Sequence, residues 1–435
     1  MTSAAEASAP YPLFSDPIAT DTQQVRYTYW PVAFQNGDMV VISNQSLPLS
    51  GVQYSQVMRG VGELKATLQL ADPEVREMNP WDKVVPRKTG IVVVREAADP
   101  ISGEWIGQVV WSGIVWKAPR NPQTGRMEIM AQTVESLWAR RLITKAISWN
   151  LIDQTTIAAD LLNPANFSLI PLGSGLWKGW ITIDPPTNLT GVLRQHHYDE
   201  GQETNLLEAH QARSQLATNS YEWTTSTRVL SGDTPASANS YRPVFELGFP
   251  KLGNQVGDQY TIPRLVFDSA GAGNVTAFGF THDGGNVPNI VWGRGKGYEA
   301  LQTKTQVQNQ DASGVPEWSY GFLQTEARFS DADVTSVSTL QSHCYRYMWE
   351  RLSSERFISN LTVRGDQAPY FGTYGIGDEV ILETNDVTWP EDWYPESGFV
   401  ELLVRIYGWT VTPPQGETAE KVELLISGGA FGDNG

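Results

Sequence analysis

The chain has 435 residues, with 31 Lys plus Arg against 48 Asp plus Glu and a formal charge of −17. That balance disfavours a protein that grips a phosphate backbone, because such proteins display a basic patch or stripe; no cation run here exceeds Arg140-Arg141. A single cysteine, Cys344, excludes an intrachain disulfide framework, and no stretch approaches the ~18 apolar residues of a membrane span. The N-terminus carries neither a basic segment nor an apolar one, so a signal peptide is not expected there. Sixteen Trp suit aromatic-anchored interfaces and sugar-stacking platforms alike.

Residues 1–20 are small, polar and proline-containing and read as a flexible or docking arm. Residues 21–145 read as a first β domain. Within it Leu64, Ala66, Leu68 and Leu70 alternate with Glu63, Lys65, Thr67 and Gln69, the period-2 signature of a half-buried strand. Ile91 to Arg95 is a second strand. Gly107 to Lys117 is a third, with Val109, Trp111 and Val115 expected on one face and Val110, Ile114 and Trp116 on the other. Both faces are apolar, so this strand needs cover on two sides, from its own domain alone or from its domain and another subunit. Ser112-Gly113 marks a bend or bulge in it. A Pro/Gly turn, a strand over Arg126 to Gln132 and a short helix follow. Thr133 is the expected N-cap, with Val134, Leu137, Trp138 and Leu142 on one helical face and Arg140 and Arg141 in the last turn.

Residues 146–330 read as a middle α+β domain: helices over Thr155–Leu162 and Asn205–Leu216, strands over Trp180–Ile183, Tyr221–Leu230, Val275–Phe280 and Asn289–Gly295, and a linker over Gln306–Gly314. Asp333 to Glu355 is the longest predicted helix, with Val334, Val337, Leu340, Cys344, Tyr347, Met348 and Leu352 at helical spacing. It opens a second β domain that runs to residue 435. That domain repeats the layout of the first: an apolar strand over Phe399–Val411, a late Gly flanked by Tyr407 and Trp409, a Pro/Gly turn, and a second strand over Glu420–Ile426. The fold class is therefore mainly β with α+β insertions, two tube-like β-barrel domains plus a middle α+β domain.

The chemical motifs are weak. Gly293-Arg-Gly-Lys-Gly297 lacks the GxxxxGK[ST] spacing of a phosphate-cradling loop. His196-His197 and His210 lack metal-ligand spacing, and His282-Asp283-Gly284-Gly285 lacks the alternating ligands of a calcium loop. No GxSxG elbow exists, and Cys344 falls on the apolar face of its helix. Glycoside hydrolysis needs two acids roughly 5–10 Å apart; Asp392-Trp393 and Glu317-Trp318, each an acid beside a Trp, are the positions to inspect for one, although loops with Trp more often serve packing or an interface. No residue is assigned catalysis, a cofactor or a metal.

The hairpin with Trp111-Ser-Gly-Ile-Val115 and Met127–Leu142, together with Phe245-Glu-Leu-Gly-Phe-Pro250, Asn289–Gly297, Gly375-Ile-Gly-Asp-Glu-Val380 and Arg405-Ile-Tyr-Gly408, resembles the tail-tip hub proteins of siphophages. These minor tail or tail-associated proteins are related in fold to the central baseplate hub of contractile phages. The resemblance spans about residues 60–428. It implies a non-enzymatic virion protein of the tail tip, a homotrimer whose two barrels per subunit form a pseudo-sixfold ring continuing the tail tube, serving host attachment and DNA passage. Its implied partners are further copies of itself, the distal tail ring protein, the tape measure protein and other tail-tip or fibre proteins, with DNA only in transit through the lumen. Trp111, Trp116, Tyr407 and Trp409 are the expected interface aromatics. An acidic balance suits a lumen to which DNA does not adhere. The alternatives are a glycan-binding or glycan-hydrolysing protein using Trp platforms and, within the same class, the distal tail ring protein.

Overall fold

The computed structural model describes residues 22–99, 102–168, 180–201, 203–214, 219–232, 234–255, 265–269, 273–282, 284–297, 301–331, 334–352, 356–384, 400–416 and 418–426. The first stretch forms β1 (Val25–Gln35), β2 (Asp38–Val41), β3 (Ser50–Val57), β4 (Glu63–Gln69), α1 (Pro73–Glu77), α2 (Pro80–Lys83), β5 (Thr89–Ala98), β6 (Trp105–Lys117), β7 (Arg120–Asn121), β8 (Arg126–Gln132) and α3 (Glu135–Trp138). The middle forms β9 (Ile147–Asp153), α4 (Gln154–Leu161), α5 (Pro164–Phe167), β10 (Leu193–Tyr198), α6 (Leu206–Ser214), β11 (Glu222–Ser231), β12 (Ser240–Gly248), β13 (Val266–Asp268), β14 (Val275–His282), β15 (Ile290–Arg294), β16 (Lys304–Gln308) and β17 (Glu326–Ser330). The last stretch forms α7 (Val337–Leu352), β18 (Arg356–Arg364), β19 (Glu379–Thr384), β20 (Val400–Thr412) and β21 (Lys421–Ile426). The fold is mainly β, as the patterning predicts, with helices set between strands.

One sheet runs through both β modules, in the order β11-β12-β2-β1-β5-β6-β8-β4-β3-β20-β21-β18-β14. The modules meet edge to edge where β3 pairs antiparallel with β20, Val57 opposite Gly408 and Tyr54 opposite Val411. The middle stretch donates strands to both: β11–β12 extend β2, while β13 and β14 pair with β19 and β18. Two cores result. Tyr29, Ile91, Val93, Trp111 and Val115 join Val380, Val404, Ile406, Val411 and Val422 in one cluster that spans both modules. On the other face of the same wall, Val32, Val92 and Val94 close a second cluster with Met39 and Tyr241, where the sheet curls until β11 lies over β6. Every residue of β5 from Thr89 to Ala97 is buried for this reason.

The echo between the modules has a steric cause. A Cβ on Gly113 would lie 2.5 Å from the Gln132 carbonyl oxygen of β8, and one on Gly408 would lie 2.7 Å from the Gln56 carbonyl oxygen of β3. Each late Gly marks a close crossing of strand backbones.

Several expectations shift. The register of β5 on β6 slips at Val110, so two residues of β6 oppose one of β5. Val109 therefore turns to the second core, while Val110 joins Trp111 in the first. Thr133 does not cap α3: its hydroxyl accepts the Gly62 N–H at 2.9 Å, the N-cap is Val134, and the helix ends at Trp138, short of Arg140, Arg141 and the exposed Leu142. Trp180 to Ile183 forms no strand; its apolar side chains are drawn into the helical core around Trp138. Gln306 to Gln308 belongs to β16, because Val307 fills the core under α7. Within the described residues the longest helix starts at Val337, leaving Val334 before it and Val337 exposed.

Candidate functional site: the seam where three segments meet

Charged residues that interrupt apolar strands converge on the seam. Arg95, at the end of the Ile91–Val94 run, lies inside the fold and donates from Nε to Glu420 Oε1 at 2.9 Å and from Nη2 to Glu420 Oε2 at 2.9 Å and to the Gly365 carbonyl at 3.1 Å. Tyr27 donates to the same carboxylate, and Tyr54 donates to Tyr27 at 3.1 Å. Burial alone would lower Arg95, but the hydrogen bonds and charge of Glu420 outweigh it and hold the guanidinium above its ordinary value. Burial likewise raises Tyr27 well above the usual phenol, fixing it as a donor.

A second pair ties the middle stretch to the last strands. Arg405 of β20 donates from Nη1 to Glu222 Oε1 at 2.8 Å and from Nη2 to Glu222 Oε2, making a two-pronged contact. Its Nε reaches the Gly377 carbonyl at 2.9 Å and Nη2 the Leu252 carbonyl at 2.7 Å. Glu222 also accepts the Leu252 N–H at 2.8 Å. Burial pushes Glu222 up, but Arg405 and that N–H outweigh it, so the carboxyl stays below its usual value. The Gly375–Val380 motif has its role here: Gly377, at φ +97°, lies against the Leu252 carbonyl where a side chain would collide.

Between these pairs lies a cavity of about 430 Å³, walled by Gln56, Trp111, Ser112, Thr225, Tyr374 and Trp409, among others. Several of its polar groups pair with one another, while the buried Tyr374 hydroxyl and Glu135 Oε2 have no hydrogen-bond partner among the described residues. Ser112 and Thr227 hydroxyls meet at 2.6 Å, Gln56 Nε2 donates to the Thr225 carbonyl at 3.2 Å, and Thr225 donates to Glu135 Oε1 at 2.5 Å. Glu135 is wholly buried and its carboxyl is raised by that burial. Nothing here pairs a nucleophile with a base, and the arrangement holds strands in register.

The four expected interface aromatics all lie at this seam or beside it. Trp111 (3% exposed) donates to the Ser55 carbonyl at 2.9 Å, and Trp409 (8% exposed) packs edge-on against Tyr54 and Phe371. Trp116 is half-buried under Arg140, with its N–H on Ser136 at 2.7 Å, and Tyr407 is half-buried beside Arg405. The chain itself supplies the cover over Trp111 and Trp409. Arg95, Glu222, Arg405 and Glu420 are not among the site residues expected from sequence; a lone charge within an apolar run is the signal that marks them.

The other motifs separate. Gly293 packs under Cys344 of α7, so Gly293–Gly297 serves helix packing. His210 is enclosed by Trp138, Trp223 and Phe245, and its pKa is lowered to about 3 by burial and then by Arg213. His196 and His197 are exposed on β10. Glu317-Trp318 lies in an exposed turn, partly covered; Asp283 and Asp392-Trp393 lie outside the described residues. Among the described residues, no group of three or more His, Cys, Asp or Glu could hold a metal, and no helix is long and apolar enough to cross a membrane.

No family model and no curated protein matches the chain. Solved structures do. A 43 kDa tail protein of prophage MuSo2 from Shewanella oneidensis is 12% identical, with a TM-score of 0.51 over 91% of this chain and 98% of its own. A tail protein from Neisseria meningitidis MC58 is 10% identical, with a TM-score of 0.50 over 92% of this chain and 96% of its own. A chain of the lidded Francisella PdpA–VgrG complex is 9% identical, with a TM-score of 0.52 over 94% of this chain and 53% of its own. The chain thus has the fold of prophage tail proteins, and spans about half of the VgrG-complex chain.

Proposed function

We propose that the protein is a structural component of a phage tail or a related injection machine, placed at the tail tip as its hub. The observation that supports this most is the likeness to two prophage tail proteins, which takes in nearly the whole of this chain and of each of theirs. The seam adds support: buried ion pairs that fix modules against one another suit a load-bearing part better than a turnover site. In this reading three copies close a ring around a lumen, next to the distal tail ring and tape measure proteins, with tail-tip or fibre proteins outside. The ring serves host attachment and lets DNA pass, and the chain catalyses nothing. The net charge of −17 keeps DNA from adhering to the lumen.

Light scattering of the purified chain across a concentration series tests the ring. A species near three times 48.1 kDa that shows a ring by negative-stain microscopy is expected. A monomer at every concentration, with and without a distal tail ring protein, overturns the trimeric hub.

A further inference from the structure

The unit formed by β15, β16, β17 and α7 presents a face, opposite α7, on which Trp292, Lys304, Gln306 and Arg328 stand exposed among the described residues. α7 packs on one side of the three-stranded sheet, over Val291, Val307, Leu340, Cys344 and Met348. Strand alternation sends Trp292 and Arg294 of the central strand to the other side. Trp292 is 40% exposed there, and its indole N–H donates to Glu326 Oε2 at 3.2 Å, which fixes the ring. Directly opposite it stand Gln306 on β16 and Arg328 on β17, and one step along, Arg294 stands opposite Lys304. Arg328 is itself oriented by a 3.2 Å hydrogen bond to Ser330. Among the described residues none of Arg294, Lys304 and Arg328 has an ion-pair partner. A chain of charge −17 thus gathers three cations and one acid around a fixed Trp.

We propose that this face binds an anionic polysaccharide, a chain of sugar rings bearing carboxylate or phosphate groups. The flat indole takes the apolar face of a pyranose ring, as aromatic side chains with one wet edge do at binding surfaces. Gln306 and Glu326 reach the hydroxyls around it. The planar guanidinium of Arg328 matches a carboxylate or phosphate in two-pronged fashion, and Lys304 adds a point charge. Charge complementarity selects an anionic chain over a neutral one. This inference does not rest on the hub reading, since it concerns a sheet separate from the one that forms the seam.

Affinity electrophoresis of the full chain through gels holding polygalacturonate, a sugar–phosphate polymer or neutral dextran tests it, with a dT oligonucleotide as a competing class. Retardation by at least one anionic polymer and not by dextran is expected. Trp292→Ala should weaken it roughly tenfold, as loss of one ~1.4 kcal/mol contact does. Lys304→Gln with Arg328→Gln should weaken it and flatten its salt dependence. Both variants alter exposed side chains and should keep the parent melting temperature. If Trp292→Ala lowers it, the charge variant decides. No retardation by either anionic polymer, equal retardation by dextran, retention unaffected by the variants, or preference for the oligonucleotide overturns the proposal.

Discussion

Removing the Arg405 side chain tests the seam most directly. Arg405→Met keeps the volume of the stem but leaves Glu222 without its two-pronged partner and strips donors from the Gly377 and Leu252 carbonyls. Breaking a buried pair by removing one partner costs about 3–5 kcal/mol, most of it the desolvation of the charge left behind. With an unfolding entropy of about 2.1 cal/mol/K per residue over a chain of this length, the melting temperature should fall by roughly 3–6 °C. The pH dependence carries the signature. In the parent, Glu222 is held below its ordinary value, so its contribution is present above the unfolded carboxylate pKa and is lost as pH falls through the folded one. In the variant only the Leu252 N–H and the Arg59 guanidinium still oppose burial, so the Glu222 pKa rises relative to the parent and the gap between parent and variant should narrow as pH falls from 7 towards 4. Scanning calorimetry on the parent, Arg405→Met, Glu222→Gln and the double variant closes the cycle. A coupling near zero, with Arg405→Met costing the same in the Glu222→Gln background, would refute the pair as the tie between β11 and β20.

Three further outcomes follow from the same physics. Gly377→Ala should lower stability by about 1–3 kcal/mol, through positive φ and the Leu252 carbonyl, measured by the urea midpoint; an unchanged midpoint removes the close approach as the reason for that Gly. Glu420→Leu strands Arg95 and should cost about 3–5 kcal/mol, whereas Tyr27→Phe in the same network should cost only about 1–3 kcal/mol, both read from thermal melts. His210 is neutral in the fold and titrates near 6.5 when unfolded. Stability should therefore fall by up to about 1.4 kcal/mol per pH unit as pH drops below 6.5 towards about 3. His210→Phe should flatten that part of the profile, and an equal slope in the variant would show that His210 is not its source.

Local pattern set much of this protein. The alternation of Leu64 to Leu68 placed β4's inner face correctly, because a strand pointing one face inward needs no more than period two. The two apolar faces of Val109–Trp116 announced a doubly covered strand, and the repeated late Gly announced close strand crossings. How Val109 and Val110 relate to the faces beyond them was out of reach, since a bulge is decided by the partner strand's register and flips one side of the strand against the other. Thr133 was a good cap by type, but Gly62's N–H, 71 residues away, claimed its hydroxyl. The pairs Arg95–Glu420 and Arg405–Glu222 join residues 325 and 183 apart in sequence. No composition or spacing could match them, because a buried charge finds its partner only once the strands carrying both have docked. Sequence alone thus determined a β-rich, aromatic-cored, acidic chain with an internal echo. The tertiary structure decided that the two echoing modules share one sheet and one core, since only edge pairing of β3 with β20 removes both open edges at that seam.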